Sequence, residues 1–133
     1  MKIYTSYFAN VKNLAKEGIV PIGIALYRPR FYSGLNCTVV SPTKDMLHGM
    51  SDEEYTKRYY AILEKADLRS FLEYIKTMGG GKDVALCCYE KPGDFCHRHL
   101  LAEYITRKTG IEVTEFEKKK EEKPAESQGS LFK

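Results

Sequence analysis

Residues 86 to 100, Leu-Cys-Cys-Tyr-Glu-Lys-Pro-Gly-Asp-Phe-Cys-His-Arg-His-Leu, gather three of the chain's four cysteines and two of its three histidines. Three chemistries are open to such a stretch. If Asp94 caps a helix, Cys96 falls in its first turn, where the helix dipole and Arg98 favour a thiolate and hence a nucleophile. The same N–H groups, with Arg98 and a protonated His97 or His99, can hold a phosphate without any covalent step. Anion binding needs less machinery and is the preferred reading. Glu90, just past the apolar run, can act as a general base or orient an imidazole or guanidinium. The third chemistry is zinc, since Cys88, Cys96, His97 and His99 are all ligand types. Their spacing argues against it: adjacent Cys96 and His97 diverge by about 100° around a helix, and no second Cys-x-x-Cys or His-x-x-x-His occurs. No metal or other cofactor is therefore expected, with zinc on those four residues as the lesser alternative.

Other chemistry-bearing side chains have simpler explanations. Cys87 and Cys88 are neighbours on a predicted strand and so face opposite sides, which makes Cys87 a packing residue and leaves Cys88, nearer the strand end, as a site candidate. His48 sits in a polar loop and reads as exposed. Tyr55, Tyr59 and Tyr60 fit the core and surface of a helix better than a stacking platform for bases.

The elements that must position the cysteines are legible from periodicity. Lys2 to Phe8 and Val20 to Leu26 read as strands, and Cys37 to Val40 as a short one. Ser51 with Glu54 has the capping-box pattern, opening a helix that carries Tyr55, Tyr59 and Ile62-Leu63, with a break near Asp67 before a second helix. Asp83 to Tyr89 is nearly continuous in apolar residues, as in a central strand buried on both faces. A helix then runs to Gly110 and a last strand spans Ile111 to Phe116. Strands alternating with helices predict an α/β fold: a single domain with a three-layer, mostly parallel, Rossmann-like sheet. In such a sheet the strand ends bring Thr5-Ser6-Tyr7, the loop Tyr27 to Tyr32 and Cys88 to Arg98 to one rim. Ser6, Tyr7, Arg28 and Arg30 join Arg98 as expected contacts to a phosphate-bearing, nucleotide-like ligand, with Cys96, His97, Glu90 and Cys88 as the expected catalytic set.

With 133 residues and a formal net charge of +3, the chain supports one core and a basic excess that permits nucleic-acid contact. No secretory signal opens it and no apolar run suits a bilayer, so a cytoplasmic protein with reduced thiols and no membrane partner is expected. From Glu117 onward the composition turns almost wholly charged and polar. Such a segment cannot repay the entropy of ordering and is read as a flexible linker.

Cys88-Tyr-Glu90, a Pro/Gly turn and Cys96-His97-Arg98 together resemble the signature of the domain of unknown function family 488. Ile3 to Phe8 and Pro21 to Gly34 resemble that family's short branch in phages and mobile elements. The resemblance covers residues 1 to 116 and implies a compact α/β domain whose shared positions are Cys88, Glu90, Cys96, His97 and Arg98; it supplies no activity. Where longer members carry Asp-x-Arg, this chain has Ala25-Leu26-Tyr27-Arg28. Beyond a linker over 117–127, residues 128–133 end Gln128-Gly129-Ser130-Leu131-Phe132-Lys133, which resembles the bacterial sliding-clamp-binding peptide. Gln128, Ser130, Leu131 and Phe132 are its expected contacts, since two adjacent apolar side chains can enter a groove while the glutamine hydrogen-bonds beside it. The combined expectation is a clamp-tethered protein acting on DNA or nucleotides. The alternative is a non-enzymatic adaptor or inhibitor of the clamp, of phage origin.

Overall fold

The computed structural model of the protein describes residues 1–89 and 96–117. Five strands form a single parallel sheet: β1 (Ile3–Tyr7), β2 (Val20–Gly23), β3 (Leu35–Asn36), β4 (Val84–Cys88) and β5 (Val113–Glu115), in the order β3-β2-β4-β1-β5. Four α-helices connect them: α1 (Val11–Lys16), α2 (Asp52–Lys65), α3 (Leu68–Met78) and α4 (His97–Thr109). The α/β, parallel-sheet expectation holds. Among the described residues no helix is long and apolar enough to cross a membrane.

The central strand explains the layering. All five residues of β4 are buried, and they alternate between two cores. Val84, Leu86 and Cys88 pack with α2, α3 and α4 through residues such as Tyr59, Leu63, Phe71, Ile75, Leu101 and Ile105. Ala85 and Cys87 face the other way, toward Phe8, Leu14, Ile19 and Tyr32. Each fully buried Leu, Ile or Phe contributes about 1.5–3 kcal/mol by leaving water, so the larger face carries most of the stability. Because β1 pairs with β4 in register, Ile3, Thr5 and Tyr7 share the helical face with Cys88, and Ser6 shares the opposite face with Cys87.

Local chemistry sets the helix ends. The Ser51 hydroxyl accepts from the Glu54 N–H at 3.1 Å, and three acidic residues in the first turn of α2 complement its dipole. Asp67 accepts from the Ser70 N–H and restarts the chain as α3. Gly110, at φ 79°, ends α4 in the left-handed conformation that glycine adopts without a Cβ penalty.

Two expectations change. Cys37 to Val40 is not a strand: β3 comes earlier, and Thr38–Val40 forms a 3-10 turn whose end Ser41 closes by bonding Thr38 O. The last helix does not include Cys96 in its first turn. Cys96 is the N-cap itself, with extended backbone (φ −155°, ψ 145°), and α4 starts at His97. Glu90, Asp94 and the whole tail beyond Glu117, including the clamp-like peptide, lie outside the described residues.

Candidate functional site

At the carboxyl end of β4 the chain brings Cys88 to the N-terminus of α4. The extended backbone at Cys96 decides what happens next. In a continuous helix Cys96 and His97 would point apart, but here the Cys96 Sγ lies 3.8 Å from His97 Nδ1. The Cys88 and Cys96 sulfurs are in direct contact as a disulfide rather than the two reduced thiols expected from the sequence, with Cα atoms 7.5 Å apart. The sulfurs of Cys88 and Cys96 and a ring nitrogen of His97 thus lie within 4.8 Å of one another, all three residues buried.

His97 has a fixed tautomer. Its Nε2 sits 2.8 Å from the Ile24 carbonyl, which can only accept, so Nε2 carries the proton and Nδ1 keeps its lone pair toward Cys96. Burial pushes the imidazole down to about 4, well below an ordinary histidine, with Arg98 adding a smaller push the same way. Near neutral pH the ring is therefore uncharged and acts as an acceptor. The Tyr59 ring meets it edge-on at 5.3 Å, and Tyr59 is anchored by a 2.6 Å bond from its hydroxyl to Val40 O.

Arg98, expected at a phosphate, instead points inward and is wholly buried. Its Nε and Nη2 donate to the two carboxylate oxygens of Glu115 at 3.1 and 3.2 Å, and Nη1 reaches Cys88 Sγ at 3.0 Å. Tyr7 lies under the guanidinium at 5.9 Å, and Thr5 donates to Glu115 Oε1 at 2.6 Å. A forked ion pair of this kind orients its members rigidly, so Arg98 serves to hold and polarise Cys88.

The remaining expected contacts do not gather here. Ser6 is fully buried on the far face of the sheet and accepts from Asn10 Nδ2. Arg28 donates to the carbonyls of Ser33 and Gly34 and so braces its own loop, while Arg30 is exposed. His99 is exposed on α4 and is not in the convergent group. Cys87 lies buried behind the sheet, its thiol pushed up to about 12 by desolvation.

A cavity of about 510 Å³ opens over Cys96 and His97. Ala25 to Tyr27 follow β2 to form one wall, Tyr89 follows β4, and Met46 to Met50 with Asp52 and Tyr55 close the other side. The Tyr89 hydroxyl donates to Tyr27 O at 2.8 Å, tying the two strand ends together. This is the crevice at the carboxyl ends of parallel strands where α/β folds bind ligands. Sequence reasoning placed Tyr55 and His48 outside any site, yet both line it. It also missed Glu115. The available signal was its position two residues after Val113, which puts both on the face that meets α4.

No curated protein and no solved structure matches the chain. The family model described as the active DUF488-N3 subclade matches residues 10–109, a span that holds Cys88, Cys96, His97 and Arg98. That span is well over half of the chain, and the protein belongs to the DUF488 family, in its active N3 subclade.

Proposed function

We propose that the protein acts on a nucleotide or nucleic-acid ligand seated in the cavity above Cys96 and His97, with the reduced Cys96 thiol as nucleophile and His97 as its proton acceptor. The observation that carries this reading is the His97 tautomer: a neutral buried ring whose unprotonated Nδ1 faces the Cys96 sulfur at the floor of an open cavity. The description of the subclade as active agrees with a site built for chemistry.

Once the Cys88–Cys96 disulfide is reduced, the pair is thiol and neutral imidazole, because burial disfavours the imidazolium. Attack on an electrophilic ring carbon of the ligand forms the S–C bond as the C=N π pair moves onto the ring nitrogen and the thiol proton passes to Nδ1, while the Ile24 carbonyl steadies the charge that develops on the imidazole. The N-terminus of α4 stabilises negative charge on Cys96 at the same moment. Tyr27, Tyr55 and Tyr89 supply flat walls for a ring-bearing ligand, and stacking on an aromatic side chain is worth about 1–3 kcal/mol per base. Glu90 keeps its proposed role as a second proton carrier. The clamp-like tail, with Gln128, Ser130, Leu131 and Phe132, would concentrate the domain at replicating DNA in the cytoplasm.

The test is equilibrium binding of mononucleotides and short single-stranded DNA to the reduced full chain, followed by product analysis. Tyr55→Ala should weaken binding by about tenfold or more, consistent with loss of one stacking wall. Cys96→Ser should bind as before and turn nothing over. A chain ending at Glu117 should lose clamp binding alone. Ligand binding that ignores Tyr55, or turnover that survives Cys96→Ser, would refute the reading, and clamp binding without any pocket ligand would point to the adaptor.

A further inference from the structure

We propose that the reduced Cys88, Cys96 and His97 form a binding site for a thiophilic divalent cation of the Zn²⁺ class, with a coordination position open to the cavity. This goes beyond the nucleotide reading and does not depend on it.

The sequence argument against zinc assumed that Cys96 and His97 diverge around a helix, and the extended N-cap conformation removes that assumption. Geometry then favours an ion. Zn–S bonds of about 2.3 Å and Zn–N bonds of about 2.0–2.1 Å at tetrahedral angles place a sulfur and a nitrogen roughly 3.6 Å apart. Cys96 Sγ and His97 Nδ1 are already 3.8 Å apart. Two sulfurs on one such ion stand roughly 3.8 Å apart. The Cα atoms of Cys88 and Cys96, at 7.5 Å, lie beyond the separation disulfides usually span, about 4.4–6.8 Å, and suit two thiolates reaching one centre.

The surroundings are those of a metal ligand set. His97 donates its other ring N–H to a backbone carbonyl, which fixes the lone pair on the ligating nitrogen. Arg98 Nη1 at 3.0 Å from Cys88 Sγ stabilises a thiolate there. Charge also balances. Among the described residues Arg98 and Glu115 neutralise each other, so two buried thiolates add two negative charges, which a divalent cation cancels. With His99 exposed, three protein ligands remain among the described residues, and the cavity lies on Cys96 and His97. Three ligands and an accessible fourth position are the pattern of reactive rather than structural zinc sites. Because the ion takes the Cys96 sulfur, a loaded site and a free thiol nucleophile exclude each other.

The experiment uses the full chain reduced with a non-chelating phosphine and titrated with Co²⁺. Expected are a near-ultraviolet thiolate-to-metal charge-transfer band and the visible bands of a tetrahedral ion, both displaced by Zn²⁺. Cys88→Ser and His97→Ala should each weaken binding by about tenfold or more, whereas Cys87→Ser, behind the sheet, should leave it unchanged. A second measurement needs no variant: Zn²⁺ should slow alkylation of Cys96, which lines the cavity, by about tenfold or more while leaving Cys37 unaffected. Absence of the charge-transfer band, a band indifferent to both His97→Ala and Cys88→Ser, or unchanged alkylation under Zn²⁺ would overturn the proposal. None of these readouts involves a nucleotide, so failure here leaves the nucleotide test standing.

Discussion

Neutralising one partner of the Arg98–Glu115 pair should cost far more than neutralising both. The Arg98 side chain is fully buried and the Glu115 side chain is 18% exposed. Removing one member of a buried ion pair typically costs 3–5 kcal/mol, because the other charge is stranded. In Arg98→Met the stranded group is Glu115, which retains some access to water and the 2.6 Å bond from Thr5. We expect a loss of about 3 kcal/mol, the lower end of that range. In Glu115→Gln the wholly buried guanidinium loses its carboxylate counter-charge, and a similar loss is expected, on the order of 3 kcal/mol. The double variant strands no charge and keeps an acceptor for Thr5. It should be more stable than either single variant, so single losses of about 3 kcal/mol each give a coupling of at least about 3 kcal/mol. Urea unfolding followed by circular dichroism, under reducing conditions near neutral pH, measures all four corners of the cycle. Additivity within about 0.5 kcal/mol would refute the claim that this pair acts as one desolvated unit.

Further outcomes follow from single contacts. Tyr59→Phe removes the hydroxyl bonded to Val40 O in a fully buried setting and should cost about 1–2 kcal/mol in the same unfolding assay. Gly23→Ala places a Cβ against Asn36 Oδ1 and 3.0 Å from the Phe8 ring, so the edge of the sheet must shift. A loss of about 1–3 kcal/mol is expected, and an unchanged midpoint would contradict the packing. Cys87, with its thiol pushed up to about 12 by burial, should resist iodoacetamide in the native state and label only on unfolding. Rapid native labelling at that residue, mapped by peptide mass, would show that the strand is not buried as described.

What was legible in the sequence is what neighbouring residues decide. The nearly continuous apolar run from Asp83 to Tyr89 marked a central strand buried on both faces, and Ser51 and the break near Asp67 marked the helix starts. The site was read in part, because its assembly is non-local. Glu115 meets Arg98 across 17 positions, and no local period links them. Tyr27 and Tyr89 line one cavity only because the sheet order sets the ends of β2 and β4 side by side. The cap was misplaced for a different reason: Asp94 and Cys96 are both near the start of α4, and cap preference favours an aspartate over a cysteine. That displacement alone separates a diverging Cys96 and His97 from a converging pair.

The strand order also governs how the molecule comes into being. β1 and β2 never pair with each other; each pairs with β4, which the chain reaches only at residues 84–88. During synthesis β1 and β2 must wait for β4 to slide between them, and such distant pairings make for slow, cooperative folding. The same insertion that completes the sheet carries Cys88 into place, so no partly made chain holds the assembled thiols. Reactivity and foldedness are therefore acquired in a single event.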